Sequence, residues 1–310
     1  MEVYYHAPQY RYLEDYEKEA FRKLEKEWGP KAWEFLMSPD YTFTEKRLFL
    51  NIYAHDKGTL EQKWDIFNKA LTRVRREMAE LEKEAPWIYE HVGRMKNDLR
   101  FGLTLMIYNY NVDGAKLGRF LNEHKDYMEK LEKVLENTRY RGLNIYGRDY
   151  SLAYDVRQDE LKEIVLGTMV TSHVFGFKPE FLLAIMARES NFRHHARSPG
   201  GGNIGIGQQN YLYSAPALLT NPRHRDQYIK LYGNVGIQHY ASGLNVIRTN
   251  LFYDVFAVGE SLYMKHKEFN IPRDNYRVLA AYYNGSEHKW NYGRGVEAVT
   301  HYYSKAVAKL

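Results

Sequence analysis

The sequence contains no cysteine among its 310 residues. This absence excludes disulfide bonds, thiolate nucleophiles and cysteine-based metal sites, so side-chain packing must stabilise the fold. No apolar run approaches the roughly 20 residues that a membrane-spanning helix requires. We therefore expect no stable insertion into a membrane. The first six residues, MEVYYH, lack the basic and apolar regions of a signal peptide, so we expect none in this chain.

Hydrophobic residues make up 44% of the chain and charged residues 27%, which is typical of a folded soluble protein. The length allows two domains of ordinary size. The formal net charge of +5 favours polyanionic partners, such as nucleic acid, anionic lipid or an acidic cell wall. Lysine and glutamate alternate along most of the chain without a long basic run, so we expect no nucleic-acid partner.

Tyrosine is abundant, with 28 copies, and aromatic residues make up 15% of the chain. Aromatic faces and phenol hydroxyls are suited to binding sugars in a cleft. Tyrosine also fills half-buried helix faces, because its ring is apolar and its tip is polar. The composition alone leaves both interpretations open.

The first half of the chain has the hydrophobic periodicity of helices. Between residues 59 and 84, apolar side chains recur at intervals of three and four, which is the spacing of an amphipathic helix. Similar patterns predict helices over residues 13–28, 45–55 and 87–109, with another after Asp113. Helices joined by short turns pack as an antiparallel bundle or an open solenoid.

The helical pattern stops between Arg139 and Asp155, where glycine, tyrosine and arginine are frequent. This stretch is a candidate linker or interdomain wrap. A second helical unit begins near Gln158, and no stretch alternates as a strand would. The sequence predicts an all-α protein with a helical scaffold domain over residues 1–155 and a second domain over residues 156–310.

An apolar helix that ends in a carboxylate is the strongest chemical signal in the chain. Pro179 is suited to the first position of this helix, which ends at Glu189 before a glycine-rich loop. A phosphate-binding loop is disfavoured because no strand precedes the loop and no Gly-Lys-Ser/Thr follows. A metal site at His194 and His195 is disfavoured because adjacent histidines seldom face the same way.

A glycosidase acid explains this arrangement better than either alternative. Such an acid must be protonated near neutral pH, so its pKa must be raised. Apolar neighbours desolvate Glu189, and the negative end of the helix dipole disfavours its ionised form. Both effects raise the pKa of the carboxyl.

The motifs around this glutamate resemble those of soluble-type lytic transglycosylases. The first element is Glu189-Ser190-Asn191-Phe192, followed by ARSPG at residues 196–200 and GIGQ at residues 205–208. A second element is AAYYNGS at residues 280–286, and a weaker third one surrounds Gly259. The resemblance covers about residues 160–310.

The resemblance implies a lysozyme-like, α-helical catalytic domain acting on peptidoglycan without a cofactor or metal ion. Glu189 would protonate the oxygen between MurNAc and GlcNAc, and then take the proton of the C6 hydroxyl. The product would be a 1,6-anhydro sugar. Tyr283 would donate a hydrogen bond to Glu189 and orient it.

The resemblance also implies a set of substrate-binding residues. By motif position, Gln208 and Ser198 would hold the N-acetyl and hydroxyl groups of the sugar, whereas Asn284 would tie the helix end to the loop. Ser190 has a helix-capping role as its alternative, and Tyr282 could replace Tyr283. The complete predicted set is Ser190, Ser198, Gly205, Gln208, Tyr282 and Asn284.

The chain departs from the family pattern at four places, including a loop between Ser198 and Gly205 that is one residue longer and Tyr-Asn-Gly-Ser in place of Y-N-A-G. Gly207 stands where the family has methionine, which removes a side chain from the floor of the cleft. The stretch over residues 211–251 is longer than usual, and we expect it to hold an insertion over the cleft.

Two other functions remain open from the sequence. A lysozyme-type hydrolase would need a second acid, for which Asp226 and Asp254 are the candidates. A non-catalytic module could bind glycan strands within an envelope or phage assembly. Since peptidoglycan lies outside the cytoplasm, we expect the protein in the periplasm or cell envelope, or in a phage virion.

Overall fold

The protein is all-α, as the sequence predicts. A computed structural model describes residues 7–285 and 289–310; Ser286 of the second motif lies outside the described residues. The helices are α1 (Pro8–Arg11), α2 (Asp15–Trp28), α3 (Pro30–Met37), α4 (Phe43–His55), α5 (Leu60–Glu84), α6 (Ile88–His91), α7 (Lys96–Asn109), α8 (Gly114–Glu123), α9 (Lys125–Arg141), α10 (Gln158–Phe175), α11 (Pro179–Ser190), α12 (Ala215–Thr220), α13 (Arg225–Leu231), α14 (Leu244–Thr249), α15 (Leu251–Glu268), α16 (Tyr276–Asn284) and α17 (Lys289–Ala308).

Strands are confined to two short antiparallel pairs in the described residues. The pair β1 (Asn144–Ile145) and β2 (Arg148–Asp149) forms one hairpin. The pair β3 (Asn203–Ile204) and β4 (Gln209–Asn210) lies within the glycine-rich loop after α11. Single turns of 3-10 helix occupy Gly93–Met95 and Gly233–Val235.

Capping residues account for several helix boundaries. The Thr59 hydroxyl accepts from the Gln62 amide, while the Gln62 side chain accepts from the Thr59 amide, which fixes the start of α5. Two predicted helices are each interrupted. The segment over residues 87–109 breaks around Val92, and the helix after Asp113 breaks at His124.

The segment predicted as a linker or wrap is firmly attached to both neighbouring parts of the chain. The Arg139 guanidinium donates to the carbonyl oxygens of Ala153 at 3.0 Å and Val156 at 2.8 Å. Tyr150 is buried, and its carbonyl oxygen accepts from the Tyr303 hydroxyl of α17. The segment therefore wraps against the helices instead of separating them.

Helix α15 runs through the centre of the molecule. Every residue from Leu251 to Met264 is buried, and the helix packs against α7, α10, α12, α14 and α16. One continuous hydrophobic cluster extends from Tyr10 to Val307. The predicted boundary between two domains at residue 155 stays a prediction, and the hydrophobic cluster contains residues from both sides of it. Across the described part of the chain, none of the helices is long and apolar enough to span a membrane.

Polar contacts also join the two halves inside the core. The Asn109 side chain of α7 donates to Ser242 at 2.8 Å and to Tyr253 of α15 at 2.7 Å. Its carbonyl oxygen accepts from the Ala241 amide at 2.8 Å. Asn109 is 1% exposed, so these groups have no alternative partner in water.

Replacing Asn109 with alanine should lower the free energy of unfolding by about 2–4 kcal/mol, because it strands several buried polar groups. Urea unfolding followed by circular dichroism measures this loss. Asn234 is exposed in the 3-10 turn Gly233–Val235, and Asn234→Ala should change stability by less than about 0.5 kcal/mol. Equal effects of the two substitutions would contradict the role assigned to Asn109.

Candidate active site

Glu189 occupies the last turn of α11, where the buried helix meets the glycine-rich loop. The residues from Glu180 to Ala187 that precede it are all buried, while Glu189 keeps part of its surface accessible. Burial raises the pKa of the Glu189 carboxyl to about 7, although the Tyr292 hydroxyl and the Arg188 charge act in the opposite direction. The group is thus balanced between its acid and base forms near neutral pH.

The tyrosine that orients Glu189 is Tyr292, which the sequence interpretation missed. Its hydroxyl, on α17, donates to Glu189 Oε1 at 2.6 Å. The Arg188 guanidinium lies 5.5 Å from the Tyr292 ring centroid and 5.8 Å from that of Tyr150. These contacts fix the tyrosine ring, and the ring in turn fixes one carboxylate oxygen.

The hydrogen bond expected from Tyr283 to Glu189 is not formed. A tyrosine hydroxyl has one proton to donate, and Tyr283 donates it to the Gly207 carbonyl oxygen at 2.6 Å. Tyr283 nevertheless lines the same pocket as Glu189.

The pocket beside Glu189 has a volume of about 390 Å³. Of the residues that the structure describes, Glu189 is the only one with a carboxylate in its lining. The other polar or aromatic residues of the lining are Asn203, Gln208, Gln209, Asn210, Tyr213, Ser214, Ser261, Lys265, Tyr282, Tyr283 and Asn284. Apart from the Lys265 ammonium, neutral amides and hydroxyls therefore surround the single acid, as a site for a polar ligand requires.

A chain of hydrogen bonds forms the pocket floor. The Ser261 hydroxyl of α15 donates to Gln209 Oε1 at 2.7 Å, and Gln209 Nε2 donates to the Tyr283 hydroxyl at 2.7 Å. Gly207 has no side chain at the point where Tyr283 approaches. A Cβ added there would lie 2.6 Å from the Tyr283 hydroxyl oxygen. Because Gly207 has no side chain, the Tyr283 hydroxyl can occupy this space and form part of the pocket floor.

The glycine-rich loop is anchored to α15 by Asp254. The Asp254 carboxylate accepts from the Ile206 amide at 2.6 Å and lies 2.8 Å from His194 Nδ1. Gly205 has a positive φ of 78°, and a Cβ at this position would collide with the Asp254 carboxylate. The Ser190 hydroxyl donates to the Ile206 carbonyl oxygen at 2.8 Å, which ties the end of α11 to the same loop.

The predicted substrate-binding residues divide into two groups. Gln208, Tyr282 and Asn284 lie in the pocket lining with Glu189. Ser190, Ser198 and Gly205 lie outside it. The polar atoms of these three residues hold the loop.

Ser198 shows this loop-holding role. Its hydroxyl oxygen accepts from the Asn203 amide at 3.1 Å, and its backbone amide donates to the Asn203 carbonyl oxygen at 3.2 Å. Because these bonds close the glycine-rich turn, Ser198 shapes the wall of the pocket from outside.

Several lining residues were missed, and so was Tyr292. Among the lining residues, Gln209 directly follows the motif glutamine and is 2% exposed, while Tyr213 follows the GIGQ element and Lys265 follows the weaker element around Gly259. Only Tyr292 carried a usable signal. It belongs to an inward-facing stripe with Val296, Val299 and Tyr303 at helical spacing on α17.

Neither candidate for a second acid reaches the pocket. Asp226 is exposed and lies 3.7 Å from the Lys57 ammonium. Asp254 is fully buried beneath the loop. Among the described residues, no three histidine or acidic side chains are arranged to hold a metal ion.

The long segment over residues 211–251 does not lie over the pocket as a whole. Tyr213 and Ser214, at its start, line the pocket. The remainder turns toward the first half of the chain, where the Arg225 guanidinium donates to the His55 carbonyl oxygen at 2.8 Å. The expected insertion over the cleft is thus limited to the first residues of the segment.

Comparisons with known proteins give no assignment. The chain matches no protein-family model, and neither curated proteins nor solved structures show significant similarity to it.

The Glu189 carboxyl should titrate near pH 7, and Tyr292→Phe should move its titration to higher pH. The reason is that the Tyr292 hydroxyl favours the ionised form of Glu189, so its loss raises the pKa. Carbon-13 NMR of labelled glutamate, with Glu189→Gln used to assign the signal, measures both values. Tyr303→Phe, on the same helix, should leave the titration unchanged.

Proposed function

We propose that the chain is a peptidoglycan lytic transglycosylase that uses Glu189 as its single acid and base. The observation that carries this proposal is the isolation of Glu189. Its pKa is raised to about 7, and no other carboxylate lines the described part of the pocket. Ordinary glycosidases need two carboxylates, whereas a lytic transglycosylase needs one.

The first chemical step requires a protonated Glu189. Since Tyr292 donates to Oε1, the proton of the acid form is placed on Oε2. That oxygen would donate to the glycosidic oxygen between MurNAc and GlcNAc as the bond breaks. The nearly neutral pKa makes this proton available at physiological pH.

The second step uses the carboxylate that remains. It would accept the proton of the C6 hydroxyl of the same MurNAc, while that hydroxyl oxygen bonds to C1. The substrate's own N-acetyl group would stabilise the positive sugar between the steps. The 1,6-anhydro product forms without water, and Glu189 regains its proton.

The amides and aromatic rings of the lining support a sugar substrate. Gln208 and Asn284 offer amide donors and acceptors, and Tyr282 offers an aromatic face to a sugar ring. Such groups match the hydroxyl and N-acetyl groups of a glycan strand. Peptidoglycan lies outside the cytoplasm, so the proposed place of action is the periplasm, the cell envelope or a phage virion.

The proposed arrangement is a lysozyme-like catalytic part over residues 156–310, preceded by a helical scaffold. The scaffold supports the site through α7, which packs on α15 beneath the pocket floor. In this role the first half of the chain holds the catalytic helices in place, and none of its described residues lines the pocket.

Mass spectrometry of the soluble products released from purified sacculi tests the proposal. The wild-type protein should release muropeptides ending in 1,6-anhydroMurNAc, and Glu189→Gln should reduce this release by about a hundredfold or more. Glu180→Gln is a matched control on the first turn of α11 and should retain activity.

Other products would contradict the proposal. Muropeptides with a reducing MurNAc end would indicate a hydrolase, and therefore a second acid. Binding of sacculi without any release would indicate a non-catalytic module. Full activity in a folded Glu189→Gln protein would exclude Glu189 as the acid.

A further inference from the structure

A row of three aromatic rings extends outward from the pocket. We call Phe269, Tyr282 and Trp290 the aromatic row. The ring centroids of Phe269 and Tyr282 are 4.6 Å apart, and those of Tyr282 and Trp290 are 6.5 Å apart. Because Tyr282 lines the pocket, the row continues the same surface.

The aromatic row leaves apolar surface in water beside the pocket. Phe269 is 46% exposed and Trp290 is 47% exposed. Contiguous exposed rings next to a pocket are typical of a binding surface, and a ring face can pack against the C–H face of a sugar.

Two lysines place positive charge along the aromatic row. Lys265 lines the pocket, and its ammonium is 5.4 Å from the Phe269 ring centroid. The Lys289 ammonium is 5.0 Å from the Tyr282 centroid and 5.5 Å from that of Trp290. Cation–π attraction holds both ammonium groups against the rings.

The described residues neutralise these charges only weakly. The Glu268 carboxylate is 3.4 Å from the Lys265 ammonium, longer than the roughly 2.7–2.9 Å of a strong charge-assisted hydrogen bond. Lys289 forms no ion pair with any residue in the described ranges. The outer part of the pocket therefore offers cations to an anionic ligand.

On the basis of the function proposed above, we propose that the aromatic row, Lys265 and Lys289 bind a sugar unit bearing a carboxylate. The sugar face packs on the exposed rings, and the carboxylate pairs with the two ammonium groups. In peptidoglycan, the carboxylate belongs to the lactyl ether of MurNAc or to its stem peptide. The site would thus select anionic glycan strands over neutral ones.

Kinetics on two forms of one substrate test this selection. Glycan strands freed of stem peptides by an amidase carry the lactyl carboxylate, and carbodiimide coupling with methylamine neutralises it. The wild-type KM should be about threefold to tenfold lower for the acidic strands, as two partly exposed ion pairs allow. The difference should shrink as sodium chloride screens the charges.

The double variant Lys265→Met with Lys289→Met should raise KM for the acidic strands to the value for the methylamide strands. Lys305→Met removes the same charge from the exposed far end of α17 and should keep the wild-type preference. Strands with intact stem peptides separate the two sources. The lactyl carboxyl of such strands is bound as an amide and carries no charge, so a charge preference that persists there assigns the peptide carboxylates, and one that is lost assigns the lactyl carboxylate.

Equal KM values of the wild-type protein for acidic and methylamide strands would overturn the inference, as would a preference that survives in the double variant. Calorimetry with Glu189→Gln measures binding of both strands without turnover. Charge-dependent binding by a protein whose wild type cleaves neither strand would contradict the transglycosylase but support the binding surface. Cleavage to anhydro products without any charge preference would support the transglycosylase and contradict the proposed binding surface.

Discussion

The burial of α15 is the constraint on which the site depends. A helix that lies inside the protein over fourteen consecutive positions needs partners within the protein for most of the polar side chains that it carries. Asp254 meets this need by binding the loop after Glu189, and Ser261 meets it by binding Gln209. Glu260 accepts from the hydroxyls of Tyr110 and Tyr240 and so ties α15 to the first half of the chain. The partners that α15 requires are thus the elements that shape the pocket.

Glu189 is held from the opposite side of the pocket. Its helix is buried up to the last turn, and the tyrosine that binds its carboxylate belongs to α17. Desolvation and the Tyr292 hydrogen bond oppose each other, and desolvation is the larger effect, so the pKa lies near 7. A change in the hydrogen bond from the Tyr292 hydroxyl can therefore alter the pKa of Glu189 without any movement of the backbone.

Local sequence predicted much of the fold and part of the site. Apolar spacing and helix-start residues identified the helices between Asp15 and Ser190 apart from α3, because both depend on neighbours within one or two turns, whereas α12 to α17 were not predicted individually. The position of Glu189 followed from the same local pattern, with apolar residues before it and glycines after it. Tyr292 could not be assigned, because its contact with Glu189 joins residues 103 positions apart. Tyr283 and Tyr292 offer the same hydroxyl, and only the packing of α16 against α17 decides which one reaches the carboxylate.

The hydrogen bonds of the pocket floor all run in one direction, from Ser261 through Gln209 and Tyr283 to the Gly207 carbonyl oxygen. In this order the Gln209 side-chain oxygen accepts from Ser261 and its nitrogen donates to Tyr283, which leaves the Tyr283 proton for the Gly207 carbonyl oxygen. A carboxylate at position 209 would accept at both oxygens and draw the Tyr283 proton away from Gly207. Glutamine and glutamate have nearly the same shape, yet only the amide of glutamine can accept from Ser261 and donate to Tyr283 at the same time. At position 209 the hydrogen-bond chain therefore accommodates glutamine but not glutamate, because glutamine can both accept and donate a hydrogen bond, whereas an ionised glutamate can only accept.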